Sequence, residues 1–168
     1  MKKKVWISVL ILVPLLIVIG SYSFVRYNPP VEVGTVASGT KNKSVVVGIR
    51  NNGFGKVEIL NVTVNNKEKP LKERVQVNDK GFLITEDYDN KEDVKEYGFK
   101  KINEVIIETD TTFSERFKEL SENSSDYKED GYGISVLYKE PINKVEIEYR
   151  YFGVTFEETV DIPLPQPI

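Results

Sequence analysis

The chain has 168 residues, with 23 Lys and Arg against 26 Asp and Glu, and it contains neither His nor Cys. That length suits one domain of ordinary size with a short separate segment. Lack of Cys excludes disulfides, thiolate metal sites and thiol nucleophiles, and lack of His removes the commonest metal ligand and every Ser/His or Cys/His catalytic arrangement.

Charge is unevenly placed. Lys2, Lys3, Lys4 and Arg26 lie in a stretch without a single acid, which leaves 19 of the 23 basic residues to face all 26 acids from Tyr27 onward, a balance of −7. An acidic domain repels phosphate backbones, and no basic stripe with interleaved aromatics is present, so no nucleic-acid partner is expected.

Residues 1–26 read as a membrane anchor. Three lysines precede an uncharged run from Val5 to Val25, which as a helix would cover about 31 Å, enough for the hydrocarbon core of a bilayer. Trp6 and Tyr22 fall near the two ends of the run, where amphipathic rings prefer to sit. Pro14 is tolerable in a membrane helix, and apolar residues on every face argue against a helix of a soluble core. The lysines predict a cytoplasmic N-terminus, hence a single-pass protein of the cell membrane with its C-terminal domain extracellular. The competing reading is a cleaved signal peptide with Ser21 and Ser23 around the cut. Against it, the run exceeds the roughly 7 to 15 residues of a signal-peptide core, and Ala or Gly is missing at the processing site.

A short Pro tether, residues 27–30, leads to an outer domain over 31–164 and a tail over 165–168. Alternation of period two dominates the domain. "VEVGTV" places Val31, Val33 and Thr35 on one face, and "SVVVGIR" does the same for Val45, Val47 and Ile49. In "KVEILNVTV" the parity switches, with Val57 and Ile59 on one face and Leu60, Val62 and Val64 on the other. A bulge or bend near Ile59 and Leu60 reconciles them, as where a strand crosses between sheets. "ERVQV", "NDKG" and "FLITE" read as a hairpin with Gly81 at positive φ. "INEVIIET" and "GISVLYKE" are further strands. Val145, Ile147, Tyr149 and Tyr151 share one face of the next, and Val154, Phe156, Val160 and Ile162 resume it after Gly153. One segment has the helical period: in "TTFSERFKELSE", Phe113, Phe117 and Leu120 stand at i, i+4 and i+7, and Thr112 with Glu115 forms a capping box. It falls within an insertion over 85–125. The fold class expected is therefore mainly β: an antiparallel β-sandwich with one short amphipathic helix, preceded by a single transmembrane helix.

The stretch from Val45 to Asn66, a strand, the Asn/Gly turn "RNNGFG" and then "VEILNVTVNN", resembles the early strand pair of immunoglobulin-like and fibronectin-like domains on bacterial surface proteins. The Lys/Asn/Glu-rich composition is similar to that of Gram-positive bacteria. The antibody-type Cys, Trp and Cys are absent, so the resemblance implies an architecture and assigns no functional residue.

Candidate chemistry is sparse. Glu86, Asp87, Asp89, Asn90, Glu92 and Asp93 form an oxygen-rich run, but Lys91 and the lack of Gly break calcium-loop spacing, so a solvated acidic loop is expected. Glu146 and Glu148 look like the wet face of a strand. Asn42, Asn61 and Asn123 open N-x-[ST] triplets, a weak signal for glycosylation. No catalytic, cofactor-binding or metal-ligating residue is marked out, and no cofactor is expected. Phe54, between Gly53 and Gly55, either displays a ring to a partner or folds back over the sandwich end; Tyr127 and Tyr132 in "YKEDGYG" offer a second aromatic loop. The function expected is a non-enzymatic, membrane-tethered domain that binds or scaffolds another envelope protein. The alternative is an extracellular hydrolase or calcium-dependent module that uses carboxylates alone.

Overall fold

In a computed structural model, the chain is described over residues 2–39, 41–78, 81–109 and 131–163. Helix α1 spans Lys2–Tyr27. Among the described residues nine strands follow: β1 (Val31–Ser38), β2 (Ser44–Asn51), β3 (Val57–Val64), β4 (Lys72–Asn78), β5 (Phe99–Lys100), β6 (Ile106–Ile107), β7 (Gly131–Leu137), β8 (Lys144–Tyr151) and β9 (Val154–Asp161). A short helix α2 (Lys91–Tyr97) and a 3₁₀ turn at Ile102–Glu104 lie between β4 and β6. The expected helix over "TTFSERFKELSE" lies outside the described residues.

The strands form two antiparallel sheets, ordered β1-β2-β7-β4-β5 and β6-β3-β8-β9. Both contribute to one apolar core. Val45, Val47, Ile49, Val75, Ile134 and Val136 come from the first sheet; Val57, Ile59, Val62, Val64, Val145, Ile147 and Tyr149 come from the second. Alternation is cleanest in β8, where Val145, Ile147, Tyr149 and Tyr151 are all buried. Their partners on β9, Val160, Phe156 and Val154, stand opposite Val145, Tyr149 and Tyr151.

The parity switch in β3 is a register shift between Ile59 and Asn61 against β8, so that Ile59, Val62 and Val64 are all buried. The extra residue turns the strand's apolar side back to the core. The strand stays in one sheet throughout and does not cross over. A second bulge, between Val33 and Val36 against β2, departs from the sequence reading: Val36, not Thr35, follows Val33 against the core.

The "FLITE" arm is not a strand. Residues 81–85 are irregular, and a side chain replaces the expected ladder. Gln76, fully buried on β4, donates to Leu83 O at 2.7 Å and accepts from Leu83 N at 2.9 Å, so its amide pairs with one peptide as a neighbouring strand would. Its Nε2 also donates to Ser135 Oγ at 2.7 Å. Beside this clamp, Phe82 covers Gly48 of β2 and Gly133 of β7, which face each other in register. A Cβ at Gly48 would come within 2.8 Å of the Phe82 ring, and one at Gly133 within 2.5 Å. The two glycines thus form the seat for the ring.

"INEVIIET" likewise gives only the 3₁₀ turn and the two residues of β6, paired through Ile107 to Val57. The acidic run is more ordered than a solvated loop. Asn90 caps α2 by accepting from Glu92 N at 3.0 Å, and Gly98, at φ 60°, ends it with a bond to Val94 O.

Replacing Gln76 by Leu keeps the volume but leaves the Leu83 peptide and Ser135 without their partners. We expect a loss of about 2 to 3 kcal/mol, read as a lower denaturant midpoint of the full-length chain in detergent. An unchanged midpoint would show that the clamp does not hold the 81–85 segment.

Candidate functional site

Register places several connections at one end of the two sheets. Val57 pairs with Tyr151, Val57 with Ile107 and Val31 with Asn51, so the β2–β3 loop, the β8–β9 turn, β6 and the start of β1 are neighbours. Helix α1 arrives at the same end.

Asn51 organises it. Its side chain is buried, donates to Gly55 O at 2.8 Å and Ile107 O at 3.0 Å, and accepts from Gly53 N at 3.0 Å. One amide thereby fixes the loop's curvature and ties it to β6. From the other sheet, the Tyr151 hydroxyl accepts from Phe54 N at 2.9 Å. Asn52 N donates to Pro30 O at 2.8 Å, which fastens the tether to the loop.

Held in this way, Phe54 does not fold back over the sandwich end. It is 81% exposed. Phe152 in the β8–β9 turn is 64% exposed, and its ring lies over Gly55, where a Cβ would come within 2.7 Å. Phe152 and Gly153 have φ of 47° and 77°, the two positive values of a type I′ turn. Asn is the usual first residue there, and a bulky ring in the left-handed region costs about 1 to 3 kcal/mol. The sequence singled out Phe54 but neither Phe152 nor Asn51. The only available signal for Phe152 was the "YFGV" spacing, which puts a ring where turns favour Asn.

The last turn of α1 packs onto this end. Val25 lies against the core, the Arg26 guanidinium sits 5.5 Å from the Phe156 ring centroid, and the rings of Phe24 and Phe54 are 6.5 Å apart. Asn28 caps the helix by donating to Phe24 O at 2.7 Å. Of the other candidates, Tyr132 is half-buried against the core and its hydroxyl accepts from Glu108 N at 3.4 Å, so it braces the sheet edge. Tyr127 lies outside the described residues.

The acids among the described residues are dispersed or paired. Asp89 bonds Lys72 at 2.8 Å and lies 3.5 Å from Arg74, and these cations hold its carboxyl below the usual range. Between the acids, Tyr88 is buried and stacked on Phe99 at 5.4 Å, which pins the run to β5. Among the described residues no group of three or more Asp or Glu is gathered that could hold a metal ion. A cleft of about 280 Å³ beside the β3 bulge is lined by Asn61, Glu73, Arg74, Lys101 and Asn103 with Leu60, Val62 and Ile102. A single carboxylate there lacks the second carboxyl that glycoside hydrolysis uses. Asn42 is buried, with its amide donating to Pro163 O at 2.9 Å, so it is no glycan acceptor; Asn61 is exposed. Asn123 lies outside the described residues.

No protein family, curated protein or solved structure matches the chain.

Three tyrosines titrate high. Burial pushes the Tyr88 phenol up to about 12; among the described residues its hydroxyl has no hydrogen-bond partner, and neighbouring Ser44 donates to Thr85 O at 2.6 Å. Tyr138, bonded to the Glu68 carboxylate, is raised to about 12 chiefly by that bond. Burial does the same for Tyr149, to about 12. A phenol raised in the fold keeps its proton where the unfolded chain has lost it, so the stability is complete below about pH 10 and declines as pH climbs toward 12. We expect the thermal midpoint to fall steadily across that window. A midpoint that stayed level from pH 10 to 12 would contradict these assignments.

Proposed function

We propose that this is a single-pass membrane protein whose two-sheet domain stands on the outer face and binds or scaffolds another envelope protein, with no reaction of its own. The observation that carries the reading is the junction. Helix α1 holds a span, Val9–Tyr27, long and apolar enough to cross a membrane, with none of it buried. Only three residues, 28–30, separate it from β1, so the domain is held at the bilayer surface. Lys2, Lys3 and Lys4 before the span favour a cytoplasmic N-terminus.

The strand order supports an immunoglobulin-like architecture. Taking the seven long strands, β1-β2-β7-β4 and β3-β8-β9 follow the ABED and CFG order of constant-type domains, with β5 and β6 as short additions at the edges. Such a fold displays surfaces; it implies no chemistry.

A surface for a partner is offered by the solvent side of β8 and β9. Glu148 stands directly opposite Glu157, a like-charge pair that costs stability when left bare. Lys67 bonds Glu157 at 3.1 Å, and that bond, with the charges of Glu157, Glu146 and Glu148, raises its pKa. This acidic face suits a basic partner surface. In living cells, a photocrosslinker at Thr159 should capture an envelope protein, and Glu148→Lys with Glu157→Lys should abolish capture. Protease added to intact protoplasts should remove the domain. Protection of the domain, or capture indifferent to both charge reversals, would contradict the proposal.

A further inference from the structure

The aromatic loops at the α1 end are better placed for lipid than for a protein partner. We propose that Phe54 and Phe152 are seated in the outer interfacial layer of the bilayer, so that the sandwich rests on the membrane through a two-ring foot beside its anchor. The inference rests on α1 spanning the membrane, as proposed above.

Depth is the first argument. Phe24 belongs to the apolar span, which runs to Tyr27, and three residues of helix are about 4.5 Å of rise. Its ring therefore lies about one turn inside the end of the span, and Phe54 lies 6.5 Å from it. With the span in a bilayer, Phe54 is carried to the depth where headgroups meet acyl chains, a place favourable to aromatic rings.

The turn supplies a second and independent argument. Phe152 occupies a left-handed backbone position that disfavours bulky residues and still leaves its ring 64% exposed. In water such a ring gains little from that strain; in the interfacial layer it gains burial. The two loops are also mutually fixed: Tyr151 holds Phe54 N, Asn51 shapes the loop, and Phe152 lies on Gly55. A rigid pair inserts without an ordering cost. Of the nearby charges, Lys56 is paired with Glu108 at 2.8 Å and Arg150 with Glu58 at 3.2 Å, while the Glu32 carboxylate accepts from Asn52 Nδ2 at the base of the Phe54 loop.

The test uses the full-length chain reconstituted in phosphatidylcholine–phosphatidylglycerol vesicles. With Trp6, the single native Trp, changed to Phe, reporters Phe54→Trp, Phe152→Trp and Leu71→Trp are compared; Leu71 is exposed at the opposite end. Lipids brominated near the headgroup should quench the reporters at 54 and 152, and aqueous iodide should quench them about threefold less than the one at 71. Equal iodide quenching at all three positions would overturn the inference. So would shielding from iodide without quenching by brominated lipid, which would mark contact with a second copy. In the native chain, Trp6 quenching by lipid reports α1 separately. If Trp6 is quenched while 54 and 152 stay in water, the foot fails and the anchor stands; if Trp6 is not quenched, both fall.

Discussion

Contact between the inner faces of two sheets is the constraint on which the rest of this structure depends. A chain without Cys has no covalent staple, so the sheets are held by side chains such as Val47, Ile134, Ile147 and Val62, all almost wholly buried. Each such side chain contributes about 1.5 to 3 kcal/mol by leaving water. Keeping them on one side is a matter of parity, and a slip of one residue would reverse it. Both bulges serve this end. Each inserts one residue where the apolar pattern changes phase, at Val33/Val36 and at Ile59/Asn61, and returns the strand to the core.

The open ends are closed by polar groups, and each end has a buried asparagine. At the α1 end Asn51 joins the β2–β3 loop to β6. At the far end Asn42, at φ 50°, accepts from Ser38, donates to Pro163 O and receives Ile142 N on its carbonyl, joining three connections at once. Asn suits both places because a short amide can donate and accept together, and at Asn42 it also tolerates the left-handed backbone. The ends differ in what they expose. The far end ties off its phenol, Tyr138, on Glu68, whereas the α1 end leaves two phenylalanines uncovered.

Legibility in the sequence followed the physics of each element. The alternation of β8 was readable because every core position is apolar and every outer one polar; β9 follows it except at Glu158, which stands opposite Ile147. The β3 bulge was readable because the phase of the pattern changes at Leu60. What failed was pairing made by side chains. "FLITE" has a strand's composition, but Gln76 occupies the hydrogen-bonding groups of Leu83, and Phe82 is spent on the seat formed by Gly48 and Gly133. Thr35 was misplaced because a bulge beside Gly34 leaves no mark in a short valine-rich run. The acidic run concealed a capped helix, since Asn90 and Gly98 as boundaries were outweighed by the charge between them. At the candidate site, the flanking glycines singled out Phe54 but left open whether its ring is displayed or folded back, and Tyr132 is set by a backbone N–H distant in sequence. Phe152 was hidden because a ring is not a turn signal.

The domain is fixed to the end of α1 and does not swing on a loose tether. Short length alone does not ensure this; the packing of Val25 on the core and of Arg26 on Phe156 does. The absence of native Cys allows clean spin labelling. The most direct measurement is the distance distribution between labels introduced through Tyr22→Cys on α1 and Leu71→Cys at the far end, in the full-length chain in lipid nanodiscs. A fixed junction predicts one narrow distribution, unchanged by the length of the lipid acyl chains. A broad distribution, as expected of a domain swivelling about residues 28–30, would contradict the account.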